Sequence, residues 1–138
     1  MLDAKCQSPG AKTLPKVLLG QLGCGLGKSV VLALLARYMV AVNPDAKILV
    51  CTPSNWVTHQ LCGLFPVTKY IEEVASSNGI FLLEHKRLAE VDDKQLAVSS
   101  ILVDEVDVLL ANQELKAKTM RAKALIGLSA TLGGSLGL

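Results

Sequence analysis

The 138-residue chain has no C-x-x-C pair, and neither His59 nor His85 stands at a spacing that suits zinc. A zinc module is thereby excluded. The four cysteines, Cys6, Cys24, Cys51 and Cys62, read as reduced thiols of an intracellular compartment, cytoplasmic or nuclear. The N-terminus, with Asp3, Lys5 and Gln7, lacks the apolar core of a signal peptide. No run is long enough to cross a bilayer: the most membrane-like stretch, Val30 to Val42, is short and carries Arg37, so it reads as a buried helix. No membrane insertion is expected. A strong charge of one sign is also missing. The 14 basic and 12 acidic residues leave a formal charge of +2, which neither demands nor excludes a nucleic-acid partner. Aromatics are scarce at 4%, and Trp56 at the start of a helix reads as packing rather than as a stacking platform. Repeats and low-complexity segments are absent.

What is present is apolar and periodic. Hydrophobic residues make up 51% of the chain, enough for one α/β domain whose strands are covered on both faces. Residues 1–15, with Pro9, Gly10 and Pro15, read as a lead-in. From there, strand-length apolar runs alternate with helical patterns. Strands are expected at Lys16–Gly20, Lys47–Cys51, Ile80–Leu83, Ser99–Val103 and Lys123–Leu128. Helices are expected at Ser29–Val42, after the loop Thr52-Pro53-Ser54-Asn55 to about Phe65, at Thr68–Ser77, in a short piece through Val91, and from about Glu105 to Thr119. Residues 133–138 read as a Gly-rich tail or linker. Such alternation implies right-handed crossovers, a parallel sheet, and a ligand at the strands' C-terminal ends.

Two motifs carry chemistry on their own residues. Gly23-Cys24-Gly25-Leu26-Gly27-Lys28-Ser29 lies between an apolar strand and a helix. Glycines let such a loop curl until its backbone amides face a phosphate chain, and the helix N-terminus adds its dipole. Lys28 then reaches the β- and γ-phosphates, and the Ser29 hydroxyl is offered to Mg²⁺. The second motif is Ile101-Leu102-Val103-Asp104-Glu105-Val106-Asp107, an apolar strand running straight into carboxylates. Asp104 would hold the metal and Glu105 would orient or deprotonate an attacking water. Taken alone it also fits an ordinary strand that ends at an acidic helix N-terminus.

With Ser129-Ala130-Thr131 behind the last strand, the series GLGKS, CTPSN, DEVD and SAT stands in an order that resembles the DExD/H-box helicases of superfamily two. The resemblance runs over residues 16–132. It implies a three-layer, RecA-like P-loop NTPase lobe with a mainly parallel sheet of about five strands, the SAT strand lying between the P-loop and DEVD strands. It also implies ATP and Mg²⁺ as cofactors, RNA or DNA as partner, and a second RecA-like lobe supplying arginines. Under it, Lys28 and Ser29 match the Walker A lysine and hydroxyl, and Asp104 and Glu105 begin the DExD box. Asp107 closes that box and touches the SAT loop, where Ser129 and Thr131 couple hydrolysis to strand movement. Thr52, Pro53, Ser54 and Asn55 match the motif that lies on the nucleic-acid backbone, a task suited to small hydroxyl and amide groups.

The chain departs from the family pattern in three places. Leu22 stands where the usual first P-loop glycine would be, no adenine-contacting glutamine motif is visible in residues 1–15, and Glu84-His85-Lys86-Arg87 replaces Thr-Pro-Gly-Arg. Only Arg87 carries over as a second backbone contact. The DEVD spelling and compact spacing also resemble the SecA family, which implies a polypeptide substrate instead. A nucleotide-binding pseudoenzyme is a third reading, against which Glu105 argues, since binding alone needs no water-activating carboxylate. His59 and His85 read as surface or core residues, and Lys116, Lys118, Arg121 and Lys123 as a solvated face.

Overall fold

The computed structural model describes residues 16–22, 28–53 and 71–129, and for residues 16, 28, 29 and 72 the backbone alone. Five strands are present: β1 (Lys16–Gln21), β2 (Lys47–Thr52), β3 (Gly79–Glu84), β4 (Ser99–Asp104) and β5 (Ala124–Ser129). All pair in parallel, in the order β1-β5-β4-β2-β3. The strand preceding Ser129 therefore lies between the P-loop strand and the DEVD strand, as expected. β2 is buried along its whole length and β4 nearly so, because an interior parallel strand is covered from both faces. Five parallel strands between two helical layers make the expected three-layer α/β fold.

One layer is α1 (Lys28–Val42), whose Leu32, Ala33 and Ala36 pack on Ile48, Val50, Ile80, Leu82 and Leu102. The opposite layer holds α2 (Asp93–Ala97), α3 (Val106–Leu110) and α4 (Gln113–Thr119). There Leu96, Val106, Leu109, Leu110 and Leu115 close over Leu49, Phe81, Ile101, Val103 and Leu125, forming the larger core.

Three expectations need correction. Thr68–Ser77 is not a helix in its described part: Ile71–Glu73 forms a single 3-10 turn, followed by turns closed by Ser76 and Ser77 amides on the Glu73 carbonyl. The chain then swings into β3 at Gly79, whose φ of 119° suits a residue without Cβ. The helix expected from Glu105 to Thr119 breaks at Ala111-Asn112, because the Asn112 side chain accepts from the Glu114 and Leu115 amides and starts α4. Finally, α1 is buried on one side only. Val31, Leu34, Tyr38 and Val42 are exposed, Tyr38 by 66%. Its sequence is apolar on every side, so composition alone could not say which side met the sheet. Helix α2 was not expected, although Asp92 caps it by accepting from the Gln95 amide.

Candidate functional site

Parallel strands deliver all their C-terminal residues to one edge, and in-register pairing makes the ends nearly level. Gln21 stands opposite Ser129, Asp104 opposite Leu128, and Thr52 opposite Glu84. The chain leaves β1 at Leu22, whose amide donates to the Ser129 carbonyl at 2.9 Å, and returns as α1 at Lys28. The intervening Gly23, Cys24, Gly25, Leu26 and Gly27 lie outside the described residues, as do Ser54, Asn55 and Thr131. For Lys28 and Ser29 only the backbone is described, and it places both in the first turn of α1, above the same edge.

Asp104 is buried at the tip of β4, and Glu105 follows half-buried. Glu105 has φ 56° and ψ 53°, the one non-glycine among the described residues in the left-handed region. For a residue with a Cβ and no short amide side chain this conformation costs about 1 kcal/mol or more, so the neighbours impose it. One imposed contact is helical: the Glu105 carbonyl accepts from the Val108 amide at 3.0 Å and opens α3. The turn separates Asp104 from Asp107 and sends the latter toward β5. There the buried Ser129 hydroxyl donates to Asp107 Oδ1 at 2.7 Å. A second contact joins the same elements. Val106 of α3 rests against Gly127 of β5, where a Cβ would drive into the valine side chain.

His85, which opens the 3-10 turn His85–Glu90 after β3, is a member of this edge that motif reading missed. Its ring is buried, and Nε2 donates to the Asp104 carbonyl at 2.7 Å. Burial lowers its pKa, outweighing the upward pull of that carbonyl and of the carboxylates of Asp104, Glu105 and Asp107. No spacing rule could have found it, because its partner is a backbone atom.

The remaining candidates are more dispersed. Thr52 is buried at the end of β2 and Pro53 is exposed. Arg87 binds Glu90 through Nε at 3.1 Å and Nη2 at 3.2 Å, so a phosphate there would compete with a carboxylate. Of the basic row expected to be a solvated face, Lys118 is only 17% exposed along its side chain, and it pairs, like Arg121, with Asp93 at the opposite end of the sheet. No three His, Cys, Asp or Glu residues converge on a metal site among the described residues. The donors at the edge are instead a few hard oxygens, of Asp104, Glu105, Asp107 and Ser129. That set suits Mg²⁺, which takes one or two carboxylates and fills its shell from water and phosphate.

The fold is that of the RecA-like lobe of helicase and SWI2/SNF2 ATPase cores. The chain is similar to the UvsW helicase of bacteriophage T4, with a TM-score of 0.65 at 19% identity, over 83% of this chain and 47% of that one. It is also similar to the SWI2/SNF2 ATPase core of Sulfolobus solfataricus, solved in complex with dsDNA, with a TM-score of 0.62 at 18% identity over 83% and 27%. The helicase domain of Pyrococcus furiosus Hef follows at 0.53 and 12% identity, over 74% and 25%. The chain thus spans less than half the length of each of these solved chains. It matches no protein-family model and no curated protein.

Proposed function

We propose that this chain is the ATP-binding and ATP-hydrolysing lobe of a helicase-like motor acting on RNA or DNA, working against a second RecA-like lobe. The observation that carries the reading is the corner at Asp104-Glu105. Two carboxylates stand at the C-terminal tip of an interior strand, on the edge where the GCGLGKS loop meets its helix, and Asp107 is tied to the neighbouring SAT strand.

In this reading the loop Gly23–Gly27 wraps the phosphates with backbone amides, and Lys28 adds a cation for the β- and γ-oxygens. Ser29 and Asp104 would hold Mg²⁺, which neutralises phosphate charge when bound. Glu105, turned out of the strand by its left-handed backbone, orients the attacking water and takes its proton. The hydrogen bond from Ser129 to Asp107 gives the loop after β5 a direct sense of the carboxylates' position. Pro53, Ser54, Asn55 and Arg87 face the nucleic-acid backbone, whereas Thr52, expected to join them, is buried at the end of β2, and arginines of the second lobe stabilise charge on the transferred phosphoryl group.

The test is ATP turnover by the protein that carries this lobe, with RNA, DNA and unfolded polypeptide added separately. Stimulation by a nucleic acid is expected. Stimulation by unfolded polypeptide alone would overturn the choice of substrate, and no turnover with any of the three would overturn the enzymatic reading.

A further inference from the structure

We propose that His85 is a positioning residue for the Asp104-Glu105 corner, locking the peptide that carries Glu105 and tying the segment after β3 to the carboxylates. The inference rests on the reading of Glu105 as the residue that orients water.

The case begins with the strand order. His85 follows the last residue of β3, yet it bonds to the last residue of β4, and β2 lies between the two strands. Adjacent strands are about 4.8 Å apart, so β3 and β4 lie roughly 10 Å from each other, and the chain leaving β3 must turn over the end of β2 before the ring can bond to β4. The partner is the carbonyl of Asp104, the oxygen of the very peptide that leads into Glu105.

The sequence of β2 explains why that carbonyl needs an outside donor. The β2–β4 register ends with Cys51 opposite Val103. One step further Thr52 would stand opposite Asp104, and in a parallel ladder a carbonyl accepts from the amide one residue beyond its partner. That residue is Pro53, which has no N–H to give. On its β2 side the ladder therefore has no N–H to offer the Asp104 carbonyl at the place where the strand ends. His85 supplies a donor there from the next strand over.

The consequence falls on Glu105. Rotation of the Asp104-Glu105 peptide changes φ of Glu105, and φ there is 56°, in the left-handed region. With the carbonyl fixed by His85 and the Glu105 carbonyl fixed by the first turn of α3, both ends of the strained residue are held. A carbonyl can only accept, so Nε2 carries the proton in this contact. The loop holding Lys86 and Arg87 begins at the same residue, so displacement of that loop pulls directly on the corner.

Three variants separate positioning from simple packing. His85→Gln keeps an N–H at the reach of Nε2, His85→Asn keeps the amide but is too short, and His85→Phe keeps the ring volume without a donor. Hydrogen–deuterium exchange is read at residues 105–109 and at β2 and β3, without nucleotide; Mg-ATP affinity and turnover are then measured in the protein carrying this lobe. In His85→Phe and His85→Asn, exchange at 105–109 is expected to rise about tenfold, the scale of one buried hydrogen bond, while the strands stay protected. Turnover is expected to fall by a similar factor with nucleotide affinity unchanged. His85→Gln is expected to restore both. Equal behaviour of the Gln, Asn and Phe variants, or loosening spread evenly over the strands, overturns the inference. If His85→Phe does not fold, the contrast between Gln and Asn decides alone. Wild-type protein that binds no nucleotide would sink the proposed function while the exchange pattern still decided the placement of the corner. Normal nucleotide binding with an unchanged exchange pattern would sink the role of His85 and leave the function standing.

Discussion

At the edge where the strands begin, polar groups, some buried and some exposed, are paired off within the fold. The Lys47 ammonium donates to the Val74 carbonyl and to Gln95 Oε1, and the Lys123 amide donates to the Ser99 carbonyl at 2.8 Å. Burial lowers the Lys47 pKa, with the Asp92 carboxylate pulling the other way. Lys118 and Arg121 converge on Asp93, and Asp92 caps a helix. At the edge where the strands end, burial serves something else. A carboxylate sits at a strand tip, the next residue is held left-handed, and a neutral histidine reaches across a strand to fix the peptide between them. The first edge satisfies its polar groups with bonds that serve the fold, whereas the second holds a strained corner that a stable fold alone would not require. In open parallel sheets ligands bind outside the carboxyl ends of the strands, and the strain is found at that end.

The largest expected break of this contrast is chemical. Glu105→Gln in the protein carrying this lobe should lower ATP turnover by about 10²–10⁴-fold, the range of a lost general base. Turnover within about twofold of wild type would remove Glu105 from that role. The next effect is mechanical. Gly127→Ala should destabilise the fold by about 1–3 kcal/mol, since the added methyl meets Val106 and the core has no slack. Urea unfolding measures it, and Val106→Ala in the same chain should recover part of the loss. Failure of that rescue would mean that the two elements are not in contact there. A smaller effect has the opposite sign. Glu105→Gly should stabilise the fold by about 1 kcal/mol while abolishing turnover, because it relieves the left-handed strain and removes the carboxylate together. A loss of stability instead would show that the backbone at Glu105 is not strained. The smallest contrast is chemical silence. Burial pushes the Cys51 thiol up to about 12, so it should resist iodoacetamide at pH 8 while the chain is folded. Labelling at the rate of a free thiol would contradict its place in β2.

Much of this edge could be read from residue order. An apolar strand ending in Asp-Glu, a Gly-rich loop before Lys-Ser, and Ser-Ala-Thr after a third apolar run each announce a strand end, and parallel alternation places them together. The position of the SAT strand between the P-loop and DEVD strands came out as the resemblance implied, since alternation alone does not set the order of strands in a sheet. What could not be read was contact through the backbone. His85 finds a carbonyl and Pro53 withholds an amide, and neither leaves a trace in side-chain spacing. The break between α3 and α4 had a local signal, Asn112 two residues before Glu114, hidden within a run of strong helix formers. The exposed side of α1 had none, because Val31, Leu34 and Tyr38 are as apolar as the residues that face the sheet.

The central claim is a division of labour at one edge, with Lys28 holding phosphate and Glu105 acting on water. Titration of a fluorescent ATP analogue with Mg²⁺ into wild type, Lys28→Ala and Glu105→Gln tests it most directly. Lys28→Ala should weaken binding by roughly 10–150-fold, the worth of one hydrogen-bonded charge at about 1.5–3 kcal/mol, while Glu105→Gln binds as wild type does. Equal loss of binding in the two variants, or none in either, would contradict the account.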